Sequence, residues 1–162
     1  MATARDPRDK RVDASTADHL AESLDIAISS DSGQPTGDVS VCVGSDLLGL
    51  VVQQLPNGVR VLIVDGEVDA LTAPLLGACL SEQVAAAPAH LIVDLQAVRF
   101  LGSSGLNSLL DARERAEQTP GMQLHIAGVV TRAVARPLEM TGLLERFDTY
   151  PTVAEALTAL TE

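Results

Sequence analysis

From Asp46 onward, apolar runs of strand length alternate with segments of helical periodicity, and this alternation restricts the fold more than any other feature. The first two apolar runs, 47–54 and 59–64, are separated by the sequence LPNG at 55–58. An Asn-Gly pair between two β-prone runs is a strong hairpin signal, because both residues tolerate the positive φ of a tight turn. The sequence therefore predicts a domain that opens with a β-hairpin.

Helix and strand patterns then alternate to the end of the chain. Continuous apolar runs at 91–95 and 123–127 are typical of buried parallel strands. Helices are predicted from Thr72 to about Ala87, from Ser103 to about Gln118, from Thr131 to Thr141 and after Thr152, with a weak strand at 146–150. This order predicts one α/β domain with a mixed sheet of four or five strands and about four helices.

Residues 1–45 differ in composition from the rest of the chain. They carry 4 basic and 8 acidic side chains and are punctuated by Ser, Thr, Gly and Pro. Such a segment buries too little apolar surface to offset its chain entropy, although the spacing of Leu20, Leu24 and Ile28 allows a marginal or docked helix. We expect a mostly disordered acidic extension over 1–45 and a folded domain over 46–162.

Charge and composition exclude several classes of partner. Lys and Arg number 11 against 22 Asp and Glu, for a formal charge of −11, and aromatic residues make up 2% of the chain with no Trp. A negative protein repels phosphate backbones and anionic lipid, and it has no aromatic platform on which bases could stack. No apolar run approaches the ~20 residues that span a bilayer. We expect a soluble cytoplasmic protein that binds neither nucleic acid nor membrane.

The sequence lacks the constellations that carry catalysis. The Gly-Ser-Ser-Gly run at 102–105 is one residue shorter than the Gly-x-Ser-x-Gly elbow of serine hydrolases, and a phosphate-binding loop is missing. Carboxylates near strand ends, such as Asp69, are interpreted as solvated charges or turn caps. The histidines have no metal-ligand spacing; they are His19, His90 and His125. We therefore predict no enzyme, no metal site and no cofactor.

The two cysteines, Cys42 and Cys79, allow at most one disulfide and have no metal-binding spacing. The prediction is two free thiols, with Cys79 buried in the core and Cys42 exposed. A redox switch that pairs them is the alternative, and it requires Cα atoms within about 7 Å of each other.

Three short motifs follow the predicted hairpin in a fixed order. The first is GEVD at 66–69, the second is DLQAVRFLGSSGL at 94–106, and the third is MTGL at 140–143. Each is weak alone, but the ordered set at these spacings resembles the STAS domain of bacterial anti-sigma factor antagonists over about residues 46–160. The resemblance implies a STAS-like fold for the domain at 46–162.

The resemblance also implies a protein switch. Members of this family bind an anti-sigma factor, itself a serine kinase with a histidine-kinase-like ATPase fold, and thereby free a sigma factor. The kinase then phosphorylates the first serine of the Ser-Ser-Gly triplet, which ends binding, and a phosphatase resets the switch. Carried over to this sequence, the acceptor is Ser103, with Ser104 as the runner-up. One position departs from the family pattern, since Gly102 stands where the family usually has Asp.

Ser103 is predicted to be the N-cap of its helix, with its hydroxyl beside unpaired backbone N–H groups. Phosphate at that position is compatible with the helix, so the switch is expected to act at the partner interface. The predicted contact residues are Asp69, Thr72, Gly102, Ser103, Ser104 and Gly105. The alternative interpretation is that Ser103 only caps the helix.

A second function is compatible with the same sequence. The chain could be a sensory or scaffolding STAS module that binds a small ligand or nucleotide without controlling a sigma factor. Stoichiometric binding to a kinase-type anti-sigma factor distinguishes the two hypotheses.

Overall fold

One six-stranded sheet organises the chain. The computed structural model describes residues 39–44 and 47–161, and the strands lie side by side in chain order. They are β1 (Val39–Gly44), β2 (Leu48–Leu55), β3 (Val59–Val68), β4 (His90–Leu101), β5 (Gln123–Ala127) and β6 (Asp148–Tyr150). The pairs β1–β2 and β2–β3 are antiparallel, and β3 to β6 run parallel to one another. The predicted mixed sheet is confirmed.

Within the described residues, four helices cover the two faces of this sheet. They are α1 (Ala73–Ala85), α2 (Ser103–Glu117), α3 (Arg132–Met140) and α4 (Val153–Thr161). Side chains of α1, α2 and α3 share one apolar core with the sheet, and we call this side the three-helix face. Val153 and Ala156 of α4 share a smaller core with the other side, the one-helix face. The prediction of about four helices in one α/β domain is confirmed.

The predicted hairpin is formed by β2 and β3. Asn57 and Gly58 adopt φ values of 68° and 74°, the left-handed turn conformation that the Asn-Gly pair favours. The sheet nevertheless has one strand more than the sequence predicted. β1 lies upstream of the predicted boundary at residue 45, because its six residues pair with β2 along the edge of the sheet. The remainder of the predicted extension, residues 1–38, lies outside the described residues.

The parallel strands place two loops side by side at one edge of the sheet. β3 and β4 end together, with Val68 paired to Leu101, so the segments 69–72 and 100–104 are neighbours, whereas β5 ends earlier, where Ala127 pairs with Asp94. Leu47, in the turn before β2, joins them because its carbonyl accepts a hydrogen bond from the Glu67 N–H at 3.0 Å. We call this region the carboxyl edge. Among the described residues, no helix has the length and hydropathy of a transmembrane span.

Candidate functional site

Ser103 lies at the carboxyl edge as the first residue of α2. The N-cap is Gly102, whose backbone is extended and whose carbonyl accepts the Leu106 N–H at 3.1 Å. The prediction that Ser103 itself is the N-cap is therefore wrong by one residue, because helical hydrogen bonding already begins at Gly102. Ser103 is exposed, and its side chain makes no hydrogen bond to another described residue. The backbone N–H groups of 103–105 have no partner one turn earlier in the helix.

Gly105 fixes the start of α2 against the sheet. An ideal Cβ at this position would lie 2.5 Å from Val68 Cγ1 and 2.8 Å from Leu101 Cδ1. The first turn of the helix therefore packs directly on the ends of β3 and β4, and only glycine leaves room for that contact. Gly105 is buried against the sheet, and its close packing holds the first turn of α2, which carries the exposed Ser103. Ser104 is half-buried.

Asp69 and Thr72 form a hydrogen-bonded loop between β3 and α1. The Asp69 carboxylate accepts the backbone N–H groups of Leu71 at 2.9 Å and Thr72 at 3.0 Å. The Thr72 hydroxyl donates to the Glu67 carbonyl at 2.7 Å and accepts the Asp69 N–H at 2.9 Å. Donation from the Thr72 N–H is the main cause that lowers the pKa of Asp69.

This loop projects an apolar side chain that is not among the predicted contact residues. Thr72 is 3% exposed, whereas Leu71 is 82% exposed. The polar residues predicted to touch a partner therefore brace the loop, and Leu71 is the side chain that the loop presents. The sequence signal for this exposure is a leucine that lies between the Asp and the Thr of an Asp-x-x-Thr turn.

Exposed apolar side chains concentrate at the carboxyl edge. The described residues contain six exposed large apolar side chains: Val39, Leu47, Leu71, Phe100, Val130 and Met140. Leu47, Leu71 and Phe100 belong to the carboxyl edge, on or next to the loops beside Ser103. Val39 begins the edge strand β1, Val130 lies in the loop after β5, and Met140 ends α3. Clustering of this kind is typical of an interaction surface.

Asp94 of the second motif is a structural group beneath this edge. Its side chain is buried, and its carboxylate accepts the Gln96 N–H at 3.0 Å. An ideal Cβ on Gly128 would lie 2.8 Å from the same carboxylate oxygen, so the loop after β5 packs directly on it. Burial raises the pKa of Asp94 above its usual value.

The described histidines lie away from the carboxyl edge. His90 Nδ1, at the start of β4, lies 3.2 Å from His125 Nε2, in the middle of β5. Burial, followed by the neighbouring His90, lowers the pKa of His125. Within 39–44 and 47–161, no group of three or more His, Cys, Asp or Glu side chains is arranged to hold a metal ion. His19 lies outside the described residues.

Cys79 is fully buried in α1, as predicted, but it is disulfide-bonded. The prediction of a free thiol is therefore wrong for Cys79. The only other cysteine in the sequence is Cys42, which belongs to β1, while its side chain lies outside the described part of the structure. The prediction that Cys42 lies in a disordered extension is therefore wrong, because β1 pairs with β2 and contacts α1.

Comparison with known proteins agrees with this fold. The sequence profile of the STAS domain matches residues 51–156. The anti-sigma-F factor antagonist RsfB of Mycobacterium tuberculosis is 40% identical over 104 residues, which cover 64% of this chain and 83% of that protein.

Solved structures of anti-sigma factor antagonists are also similar to this chain. An anti-sigma factor antagonist from Mycobacterium paratuberculosis is 37% identical with a TM-score of 0.64, over 74% of this chain and 98% of that chain. The phosphorylated form of Bacillus SpoIIAA is 18% identical with a TM-score of 0.55, over 68% of this chain and 98% of that chain, which is a likeness of fold alone. The chain belongs to the STAS-domain family of anti-sigma factor antagonists.

Proposed function

We propose that this protein binds a kinase-type anti-sigma factor in the cytoplasm, releases a sigma factor and is switched off by phosphorylation of Ser103. In this role it is a regulatory binding protein and not an enzyme. A phosphatase would restore the active form. The observation that carries the proposal is the exposed Ser103 within a surface of exposed apolar side chains at the carboxyl edge. The 40% identity to an anti-sigma-F factor antagonist supports the choice of partner.

The surface around Ser103 is suited to protein binding. Leu71 is exposed in the loop after β3, and Phe100 is exposed near the end of the neighbouring parallel strand β4, so a partner that covers Ser103 would bury both. Burial of apolar surface contributes roughly 25 cal/mol per Å² before the costs of association. The Asp69–Thr72 hydrogen bonds hold the loop in place before binding, which lowers the entropy lost when the partner docks.

Phosphorylation would act on this interface rather than on the fold. A phosphate on Ser103 adds a charge of about −1.5 to −2. At the first position of α2 it lies beside backbone N–H groups and the positive end of the helix dipole, so the folded domain tolerates it. The same charge would be desolvated when a partner closes over the apolar surface, and binding would be lost.

Ser103 is a better acceptor than Ser104. Ser103 is exposed, whereas Ser104 is half-buried and its carbonyl accepts the Ser108 hydroxyl at 3.2 Å. Asp94, although part of the same motif, is buried and cannot contact a partner directly.

The first test is intact-mass measurement after incubation with ATP and candidate anti-sigma kinases, followed by peptide mapping. The candidates are the anti-sigma-F factor of M. tuberculosis and the anti-sigma factors of the organism that carries this chain. We expect one added phosphate at Ser103. A phosphate at Ser104 or elsewhere would overturn the assignment of the acceptor.

A binding series by calorimetry tests the switch. We expect Ser103→Glu to weaken binding at least about tenfold, or ~1.4 kcal/mol, and Ser103→Ala to retain affinity. Thr158→Glu, a matched charge at an exposed position on α4, should leave affinity unchanged. Equal affinities for Ser103→Glu and Ser103→Ala would contradict the phosphorylation switch, and absence of binding to every candidate would contradict the proposed function.

A further inference from the structure

The Phe100 ring occupies the space beside Gly102, one residue before Ser103. An ideal Cβ on Gly102 would lie 3.1 Å from Phe100 Cε2 and 3.4 Å from Phe100 Cζ. The backbone of Gly102, with φ −89° and ψ 179°, is open to any L-residue. The contact with the ring, and not the backbone, is therefore what distinguishes glycine at this position.

The ring is also half exposed. Phe100 retains 49% of its surface accessible, although it is an apolar side chain next to a well-packed core. Gly102 donates its N–H to the Val68 carbonyl at 2.9 Å, which ties the end of β4 to the end of β3. The ring thus lies close to the exposed Ser103, in the space that a side chain at position 102 would otherwise occupy.

We infer that Phe100 is a specificity-determining contact of this protein, seated in an apolar pocket of the anti-sigma factor, and that Gly102 keeps the ring in place. This inference rests on the proposed function and deepens it. Aromatic side chains bury large rigid areas at little entropic cost and often dominate interfaces. Leu71 on the neighbouring loop extends the same apolar surface.

With Phe100 in such a pocket, phosphorylation of Ser103 would have a more specific effect. A phosphate on Ser103 would lie next to a pocket that has excluded water around an aromatic ring. Charge is poorly tolerated in such surroundings unless a counter-charge is built in. A partner that receives Phe100 in an apolar pocket therefore discriminates more strongly against the phosphorylated form than a partner with a polar contact would.

The test measures binding of the full-length protein to the anti-sigma-F factor of M. tuberculosis and to the anti-sigma factors of its own organism. We expect Phe100→Ala to weaken binding at least about tenfold and Phe100→Leu to weaken it only a few-fold. Gly102→Ala adds one methyl group that displaces the ring, and we expect a loss of about fivefold or more, with a larger loss for Gly102→Asp. Met140→Ala, a matched exposed apolar residue outside the carboxyl edge, should have no effect.

Circular dichroism melting curves establish that each variant is folded, which is expected because Phe100 is half exposed and Gly102 has an ordinary backbone conformation. Unchanged affinity of Phe100→Ala and Gly102→Ala, in a series where Ser103→Glu loses binding, would overturn this inference and leave the proposed function intact. Loss of binding in Phe100→Leu equal to that in Phe100→Ala would show that the contact is aromatic rather than generally apolar. If the wild-type protein binds none of these anti-sigma factors, both proposals fail.

Discussion

The buried glutamines on the two faces of the sheet differ in their hydrogen bonding. On the three-helix face, Gln83 of α1 is buried, and its side-chain carbonyl accepts a hydrogen bond from Arg60 Nη1 at 2.8 Å. On the one-helix face, Gln53 is fully buried, and neither its amide nitrogen nor its amide oxygen has a hydrogen-bond partner among the described residues. His125 is on the same face, and its Nδ1 also lacks a hydrogen bond within the described part of the chain. An unpaired buried polar group costs about 1–3 kcal/mol, so the one-helix face is expected to be the weaker layer.

This difference bears on function because the site belongs to the stronger layer. Ser103 begins α2, which packs on the three-helix face through Leu106, Leu109 and other apolar residues. The loop that presents Leu71 leads into α1 on the same face. A candidate site carried by the well-packed layer is expected to keep its geometry if the other layer is loosened. The comparison therefore predicts that substitutions on the one-helix face change stability without changing affinity for the partner.

The largest expected effect is that of Leu109→Ala on the three-helix face. Leu109 is fully buried among the side chains of that core, and its truncation leaves a cavity, so we expect a loss of about 3–5 kcal/mol. Leu157→Ala on α4, which truncates a partly buried leucine, should cost clearly less. Urea unfolding of both variants gives the two values. Equal losses would mean that the two layers do not differ in packing.

The disulfide at Cys79 should strengthen the same layer. We expect Cys42 to be its partner, since it is the only other cysteine, and a bond that closes a loop of this size contributes about 3–4 kcal/mol. Reduction should then lower the melting temperature and speed amide exchange in α1 more than in α4. Cys42→Ala should reproduce the effect and become insensitive to reductant. A non-reduced digest without a peptide that links residues 42 and 79 would contradict this prediction, and with it any redox regulation through the pair.

The pH dependence of stability should originate on the one-helix face. The folded state lowers the pKa of His125 below its usual 6.5, so the unfolded chain binds more protons in the interval between the two values. Stability should therefore fall as the pH decreases below about 6.5. His90 lies 3.2 Å away, Asp148 lies 3.8 Å away and the Tyr150 ring is adjacent. The surroundings thus combine one like charge and one opposite charge when the histidines are protonated.

Two substitutions isolate the contribution of His125 to the pH dependence of stability. His125→Gln should flatten the fall in the free energy of unfolding between pH 7 and pH 5.5, and His90→Gln should reduce it by removing the like charge. Affinity for the partner at pH 7 should not change in either variant. An unaltered slope in His125→Gln would show that the pH dependence arises elsewhere in the molecule.

The sequence was sufficient for features with a local cause. The Asn57-Gly58 turn, the buried face of α1 and the start of α2 near Ser103 follow from turn chemistry and periodicity. β1 was not predicted although Val39, Val41 and Val43 alternate at strand spacing, because the segment is short, follows a polar stretch and is held in the sheet by its pairing with β2. The site depends still more on tertiary structure. The direction of a side chain decides whether a residue at the site stabilises its own loop or faces solvent, and the sequence does not give this direction. The sequence therefore indicated Asp69 and Thr72, whereas the exposure of Leu71 and Phe100 is known only from the structure.

The smallest expected effect gives the sharpest comparison of the two faces, because it uses the same substitution twice. Gln53→Met keeps the side-chain volume and removes an amide that has no partner among the described residues, so we expect stability to be unchanged or to rise by about 1 kcal/mol. Gln83→Met removes the acceptor of the Arg60 hydrogen bond, and we expect a loss of about 1–3 kcal/mol. Urea unfolding at pH 7 measures both values. Changes of opposite sign would establish that the buried glutamine stabilises the fold on the three-helix face and not on the one-helix face. A loss in Gln53→Met comparable to that in Gln83→Met would show that the Gln53 amide is hydrogen-bonded in solution. The two faces would then not differ in the contribution of their buried glutamines to the free energy of unfolding.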